Sequence, residues 1–123
     1  MSHFGAWKKG KGENRRRHEA SKMNKTEAEY ASQLGLLVAA GEVAAFSFEP
    51  LKLRLADRSY YDPDFLVQLP DGSLEIHEVK GHMEDDAAVK IRVAQETHPW
   101  LRFYLIRKEG RGWTKTPIWK EDR

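Results

Sequence analysis

Leu74-Glu75-Ile76-His77-Glu78-Val79-Lys80 is the stretch on which the fold turns. Aliphatic residues recur at alternate positions, which predicts a strand over residues 74–80. Side chains alternate faces along a strand, so Leu74, Ile76, Glu78 and Lys80 share one side. Glu75, His77 and Val79 face the other way. An apolar row therefore runs into a carboxylate and then an ammonium. A strand that serves only a core has no reason to end its apolar face on two charges. Glu78 and Lys80 are thus the first candidates for chemistry.

Just upstream, Pro70-Asp71-Gly72-Ser73 is a turn signal, and residues 60–69 predict a partner strand. The two segments make a hairpin that carries Pro63-Asp64 on its first arm. A loop of Asp71 to Ser73 sets Asp64 opposite Lys80. A loop of Pro70 to Gly72 sets Asp64 opposite Glu78. Either three-residue loop puts Asp64 on the shared face, whereas a two-residue loop puts it on the other. Gly72 suits the left-handed residue that three-residue loops require.

Working outward, residues 43–56 hold Val43, Phe46, Phe48, Leu51, Leu53 and Leu55 and predict an earlier strand, bent at Pro50. Before it, Tyr30, Leu34, Leu37 and Val38 form one apolar stripe, which predicts a helix over 25–40 stopped by Gly41. Two N-caps compete for its start, Asn24 with Glu27 and Thr26 with Glu29. After Gly81, residues 86–97 predict a second helix with Ala87, Ile91 and Ala94 on one face. His98-Pro99 stops it. Residues 100–106 predict a fourth strand, and 113–119 suit a short further one. The order is α-β-β-β-α-β, with or without that last strand. It implies an α/β domain over residues 23–123, with a central mixed sheet flanked by helices.

Charge is uneven along the chain. Residues 1–25 carry eight basic and two acidic side chains, and the remainder carries 13 basic and 17 acidic. A basic arm over residues 1–22 thus precedes a mildly acidic body. Without hydrophobic periodicity, the arm is expected to be flexible. Arg15, Arg16, Arg17, Lys22 and Lys25 are candidate phosphate contacts; a solubilising leader is the plainer account. The absence of cysteine rules out thiolate metal sites, so a metal must sit on oxygen or imidazole. No stretch suits a membrane span or a secretory signal, which leads to an expectation of no membrane partner and a cytoplasmic location.

Two carboxylates as close as Asp64 and Glu78 repel, and one tends to keep a proton. A divalent cation removes that conflict. Mg2+ takes one or two carboxylates, retained waters and phosphate oxygens, and Mn2+ is expected to substitute. The bound cation acidifies a water and offsets charge in the transition state, with Lys80 assisting. Glu27 lies on the core-facing stripe of the first helix, three residues before Tyr30 and seven before Leu34. That position favours a third carboxylate at the site over a capping role, since Thr26 and Glu29 supply another cap.

Pro63-Asp64 followed by Glu78-Val79-Lys80 resembles the motif of the PD-(D/E)xK nuclease superfamily. The resemblance covers about residues 24–107 and includes the α-β-β-β-α-β order of a restriction-endonuclease-like core. Glu27-Ala28-Glu29-Tyr30-Ala31-Ser32-Gln33-Leu34 is similar to the first-helix acidic motif of archaeal Holliday-junction resolvases. Asn24-Lys25-Thr26-Glu27 with His77-Glu78-Val79-Lys80-Gly81 looks like small phage and prophage members. The resemblance implies metal-dependent hydrolysis of DNA phosphodiesters, in a bacterial host cell if the chain is phage-encoded. Asp64, Glu78, Glu27 and the Val79 backbone carbonyl are then the expected metal ligands, and Lys80 is catalytic. Lys90, on the second helix, is a candidate DNA contact, balanced against a solvated helix face.

The substrate expected from this resemblance is branched DNA, with a Holliday junction as the leading case. Nicking both strands of a junction needs two active sites, hence an expected homodimer. Nicking or restriction-like cleavage of duplex DNA fits the same residues, and a non-catalytic DNA-binding module on the same fold is the rival of another class.

Other residues read more plainly. His82 and His98 suit loop and helix-end positions, and His77 suits packing or surface. Asp62 reads as a neighbour of the site or as edge solvation. Glu84-Asp85-Asp86 suits a helix N-terminus. Trp100, Trp113 and Trp119 suit core and sheet-edge packing, with Trp7 left aside.

Overall fold

The computed structural model describes residues 22–80 and 85–119. Helix α1 spans Lys25–Ala39, and its start is settled by Asn24, whose side chain accepts from the Glu27 N–H while Glu27 accepts from the Asn24 N–H. This reciprocal capping box satisfies two otherwise unpaired backbone donors. Thr26 and Glu29 are not the cap, contrary to expectation. Glu29 instead pairs with Lys108 at 2.9 Å. Gly41 follows the helix at φ 83°, the left-handed position that ends it.

The chain continues as β1 (Ala45–Phe48), β2 (Leu53–Ala56), β3 (Ser59–Tyr61), β4 (Phe65–Gln68) and β5 (Leu74–Lys80). Helix α2 (Asp85–Thr97), β6 (Arg102–Glu109) and β7 (Gly112–Pro117) complete it. Five strands form one mixed sheet in the order β1-β4-β5-β6-β7, while β2 and β3 pair separately. All pairings are antiparallel except β5 with β6, which α2 connects as a crossover.

The strands expected over 43–56 and 60–69 are each divided. Pro50 and Pro63 lack the N–H that a ladder requires, and the chain leaves the main sheet at the first and rejoins it at the second. The excursion between them is the β2–β3 hairpin. The Glu49 N–H donates to the Asp64 carbonyl at 2.8 Å, closing the base of the excursion.

Each face of the main sheet buries its own cluster. On one side α1 packs Tyr30 and Leu34 against Phe65, Val67 and Ile106. On the other, α2 and the hairpin bring Ile91, Ala94, Leu53 and Tyr61 onto Ile76 and Phe103. Burying side chains of this size contributes about 1.5–3 kcal/mol each relative to exposure. Trp113 edges onto Tyr30 and Trp119 onto Tyr104, as expected of sheet-edge packing. Trp100 departs from that expectation and lies 71% exposed. No helix among the described residues is long and apolar enough to cross a membrane.

Candidate active site

The hairpin between β4 and β5 fixes the geometry. Phe65 pairs with His77, Leu66 with Ile76, Val67 with Glu75 and Gln68 with Leu74. Leu69 N donates to the Ser73 carbonyl at 2.9 Å, so the loop is Pro70 to Gly72. Gly72 adopts φ 93°, where a β-carbon is strained. Of the two registers left open by the sequence, this is the one that aligns Asp64 with Glu78.

The two carboxylates are tied into each other's strands. Asp64 Oδ2 accepts from Val79 N at 2.8 Å, and Glu78 Oε1 accepts from Asp64 N at 3.3 Å. Asp64 and Lys80 are both buried, and Glu78 is half-buried. Lys80 follows Glu78 on the same face of β5, as strand alternation requires.

Burial, with the charges of Glu78, Glu27 and Glu49, pushes the Asp64 carboxyl up to about 8, against the pull of the Val79 N–H. Burial also raises Glu78, and Glu27 adds to the rise. The Tyr61 hydroxyl, the Asp64 N–H and the Lys80 charge draw it back. In the metal-free chain the pair therefore holds a proton near neutral pH, the expected response of adjacent buried carboxylates.

Glu27 takes the capping role, the less favoured of its two expected places. Helix α1 packs on the sheet face opposite Glu78, because its Tyr30 and Leu34 belong to the Phe65–Val67 cluster. The Glu27 carboxylate is engaged in the capping box at 3.0 Å from Asn24 N. Its charge still reaches both Asp64 and Glu78 and raises both carboxyls.

Lys90 is exposed on α2, and Lys22 and Lys25 are exposed at the start of α1. Arg15, Arg16 and Arg17 lie outside the described residues, as do His82 and Glu84. Asp62 is exposed and pairs with Lys52 at 2.9 Å. His98 ends α2, and its Nε2 donates to the Arg54 carbonyl at 2.8 Å.

Two residues near the pair are not evident from the sequence. Tyr61 donates its hydroxyl to Glu78 Oε1 at 2.5 Å. Glu49 sits at φ 48° just after β1, and its carboxyl is raised by partial burial and by Glu27 and Asp62. An unbroken strand over 60–69 would turn Tyr61 away from Asp64. The break at Pro63 resets that parity, and the proline is the one signal of it in the sequence.

His77 is a packing residue. Buried on the α1 side, it is held lowered by desolvation, only partly offset by Glu75, and is therefore neutral. Its Nε2 donates to Glu75 Oε1 at 2.9 Å, which leaves Nδ1 to accept from the Tyr30 hydroxyl at 2.7 Å. Lys115 donates to the same Glu75 oxygen at 3.0 Å. Burial works against the Glu75 charge, but the His77 and Lys115 bonds prevail and hold its carboxyl below the usual range.

Among the described residues no three carboxylate or imidazole side chains form a ready-made metal cluster. Comparison of the chain with protein-family models, with curated proteins and with solved structures gives no match.

Proposed function

We propose that the chain is a divalent-metal-dependent nuclease that hydrolyses DNA phosphodiesters at Asp64, Glu78 and Lys80. The observation that carries this reading is the meeting of Asp64 with Glu78 in a largely buried position one step beyond the Phe65–His77 pair, Asp64 accepting the Val79 N–H and Glu78 the Asp64 N–H. Such a pair is costly when both members are ionised, and a cation stabilises it. The order α1-β1-β4-β5-α2-β6, with the β2–β3 hairpin as an insertion, is compatible with a restriction-endonuclease-like core and supports the same reading.

The donor set suits Mg2+, with Mn2+ as a substitute. Both donors are hard oxygens, and Mg2+ is ordinarily held by one or two carboxylates and completed by water and phosphate, without a closed protein cage. Asp64 and Glu78 would hold it, with the Val79 carbonyl as the backbone contributor. Glu27 would add negative charge from the end of α1. When bound, the cation supplies Lewis acidity toward phosphate and water. Lys80 contributes a fixed positive charge on the same face, suited to offset charge gathering on the phosphoryl oxygens. The buried walls around Asp64 strengthen that electrostatic effect by excluding water.

For the substrate we propose branched DNA, a four-way junction in the first instance, cut by a homodimer. The basic residues 1–25 support a polyanionic partner. Labelled junctions and linear duplex are to be incubated with wild type, Asp64→Ala and Glu78→Ala, in Mg2+ or chelator. Junction cleavage that needs Mg2+ and is lost in both variants is expected. Cleavage that persists in both variants removes the site. Equal cutting of linear duplex removes the junction preference and leaves the nuclease, and binding without cleavage under Mg2+ and Mn2+ favours a non-catalytic module.

A further inference from the structure

Resting on the nuclease reading above, we infer that Tyr61 is a positioning residue: its hydroxyl, delivered by the β2–β3 hairpin, fixes the Glu78 carboxylate that faces Asp64. Tyr61 is buried at 6% exposure, with its ring in the cluster formed by Leu53, Ile76 and Ile91. A phenol in such surroundings is costly unless its hydroxyl is satisfied. Its partner is Glu78 Oε1, 2.5 Å away. That oxygen also accepts from Asp64 N. Two donors from different segments thus converge on one carboxylate oxygen. They define the direction in which the rest of the group points.

The hairpin that presents Tyr61 is itself anchored. Leu53 is buried beside it, Lys52 pairs with Asp62, and the His98 ring at the end of α2 donates to the Arg54 carbonyl. Glu78 would otherwise keep the rotamer freedom of a long carboxylate side chain, which metal capture must then freeze. Partners that orient a ligating carboxylate typically account for about 10–100-fold in metal affinity.

The test measures Mn2+ binding to the full chain by electron paramagnetic resonance for wild type, Asp64→Asn, Tyr61→Phe, Glu78→Gln and the Tyr61→Phe/Glu78→Gln double variant. Asp64→Asn is expected to lose binding. Tyr61→Phe preserves the ring volume and is expected to bind about tenfold more weakly. Its junction cleavage should need about tenfold more Mg2+ for half-maximal rate, with the maximal rate regained at saturating metal. In the Glu78→Gln background, removing the hydroxyl should make no further difference.

Wild-type affinity in Tyr61→Phe, with binding lost in Asp64→Asn, overturns the role of Tyr61 and leaves the nuclease reading intact. A lowered melting temperature with unchanged metal affinity also overturns it, because the hydroxyl is then merely structural. A tenfold effect that persists without Glu78 overturns it as well. Equal Mn2+ binding by wild type and Asp64→Asn removes the metal site itself, and the inference with it.

Discussion

Asp64 and Glu78 meet one step beyond the Phe65–His77 pair that ends the β4–β5 ladder, where Asp64 Oδ2 accepts from Val79 N and Glu78 Oε1 accepts from Asp64 N. Both bonds use main-chain N–H groups. The arrangement is electrostatically unfavourable when both groups are ionised: burial first, and then the Glu78 charge, raises the Asp64 carboxyl. The expected pH response follows from that conflict, and the proposed cation would relieve it.

Stability of the metal-free chain should fall as pH rises from about 6.5 to about 8. Unfolded, Asp64 releases its proton near pH 4, whereas folded it keeps it to about 8. Between those values the native state binds the extra proton, so its advantage is complete below the unfolded value and is lost as pH climbs through the folded one. His77 acts in the opposite sense below about 6.5, where the unfolded chain gains a proton that the buried ring refuses. Above that the carboxyl effect stands alone and amounts to about 1–2 kcal/mol over the interval. Urea denaturation in chelator at both pH values reads it directly. Asp64→Asn should flatten the slope, and an unchanged slope in that variant would assign the effect elsewhere.

Asn24 and Glu27 should separate a cap from a charge. Asn24→Ala removes the cap side chain and should cost about 1 kcal/mol of stability, with Mn2+ affinity kept. Glu27→Gln preserves the capping geometry, since glutamine also serves at that position. It removes a negative charge near Asp64 and should weaken Mn2+ binding by roughly threefold, within the range of a partly screened charge. Calorimetric melting and a Mn2+ titration on each variant distinguish the two. Equal metal affinity in wild type and Glu27→Gln would confine Glu27 to the cap.

Tyr30→Phe should destabilise the fold by about 1–3 kcal/mol, because it leaves the buried Nδ1 of His77 without a donor. The network joins α1 to β5 on the face away from Asp64, so metal affinity should be unaffected. Chemical denaturation measures the first, and a fall in metal affinity larger than threefold would show that the two faces are coupled.

Deleting residues 1–22 removes seven basic side chains, Lys8, Lys9, Lys11, Arg15, Arg16, Arg17 and Lys22. DNA binding should weaken, and the slope of log affinity against log salt should flatten by about 0.9 for each phosphate no longer neutralised. Fluorescence anisotropy between roughly 50 and 200 mM salt, a range over which such electrostatic binding weakens steeply, gives both numbers. An unchanged slope would make the arm a bystander.

Most of the candidate pair is legible in the sequence. Glu78 and Lys80 share a face because alternation is a local property of extended backbone. Gly72 marks the odd loop for a similarly local reason, the conformational freedom of a residue without a β-carbon. Glu27 is less legible. Its place on the helix stripe is right, but a stripe does not say which face of a sheet the helix will cover. That is set by Tyr30 and Leu34 finding Phe65 and Val67, and it turns α1 to the side opposite Glu78.

By itself the sequence determined the two helices, the turn at Asp71-Gly72 between two strands, the shared face of Glu78 and Lys80, and the two placements of a three-residue loop that bring Asp64 to them. Each follows from the chain's own periodicity and backbone preferences. Only the tertiary structure chose between those loops, divided two expected strands at Pro50 and Pro63, and set Tyr61 against Glu78. Those outcomes depend on which apolar surfaces meet across long separations in sequence. The hairpin buries Leu53 and Tyr61 on Ile76 and Ile91, and that burial, rather than any pattern within residues 60–69, carries the tyrosine hydroxyl to the carboxylate.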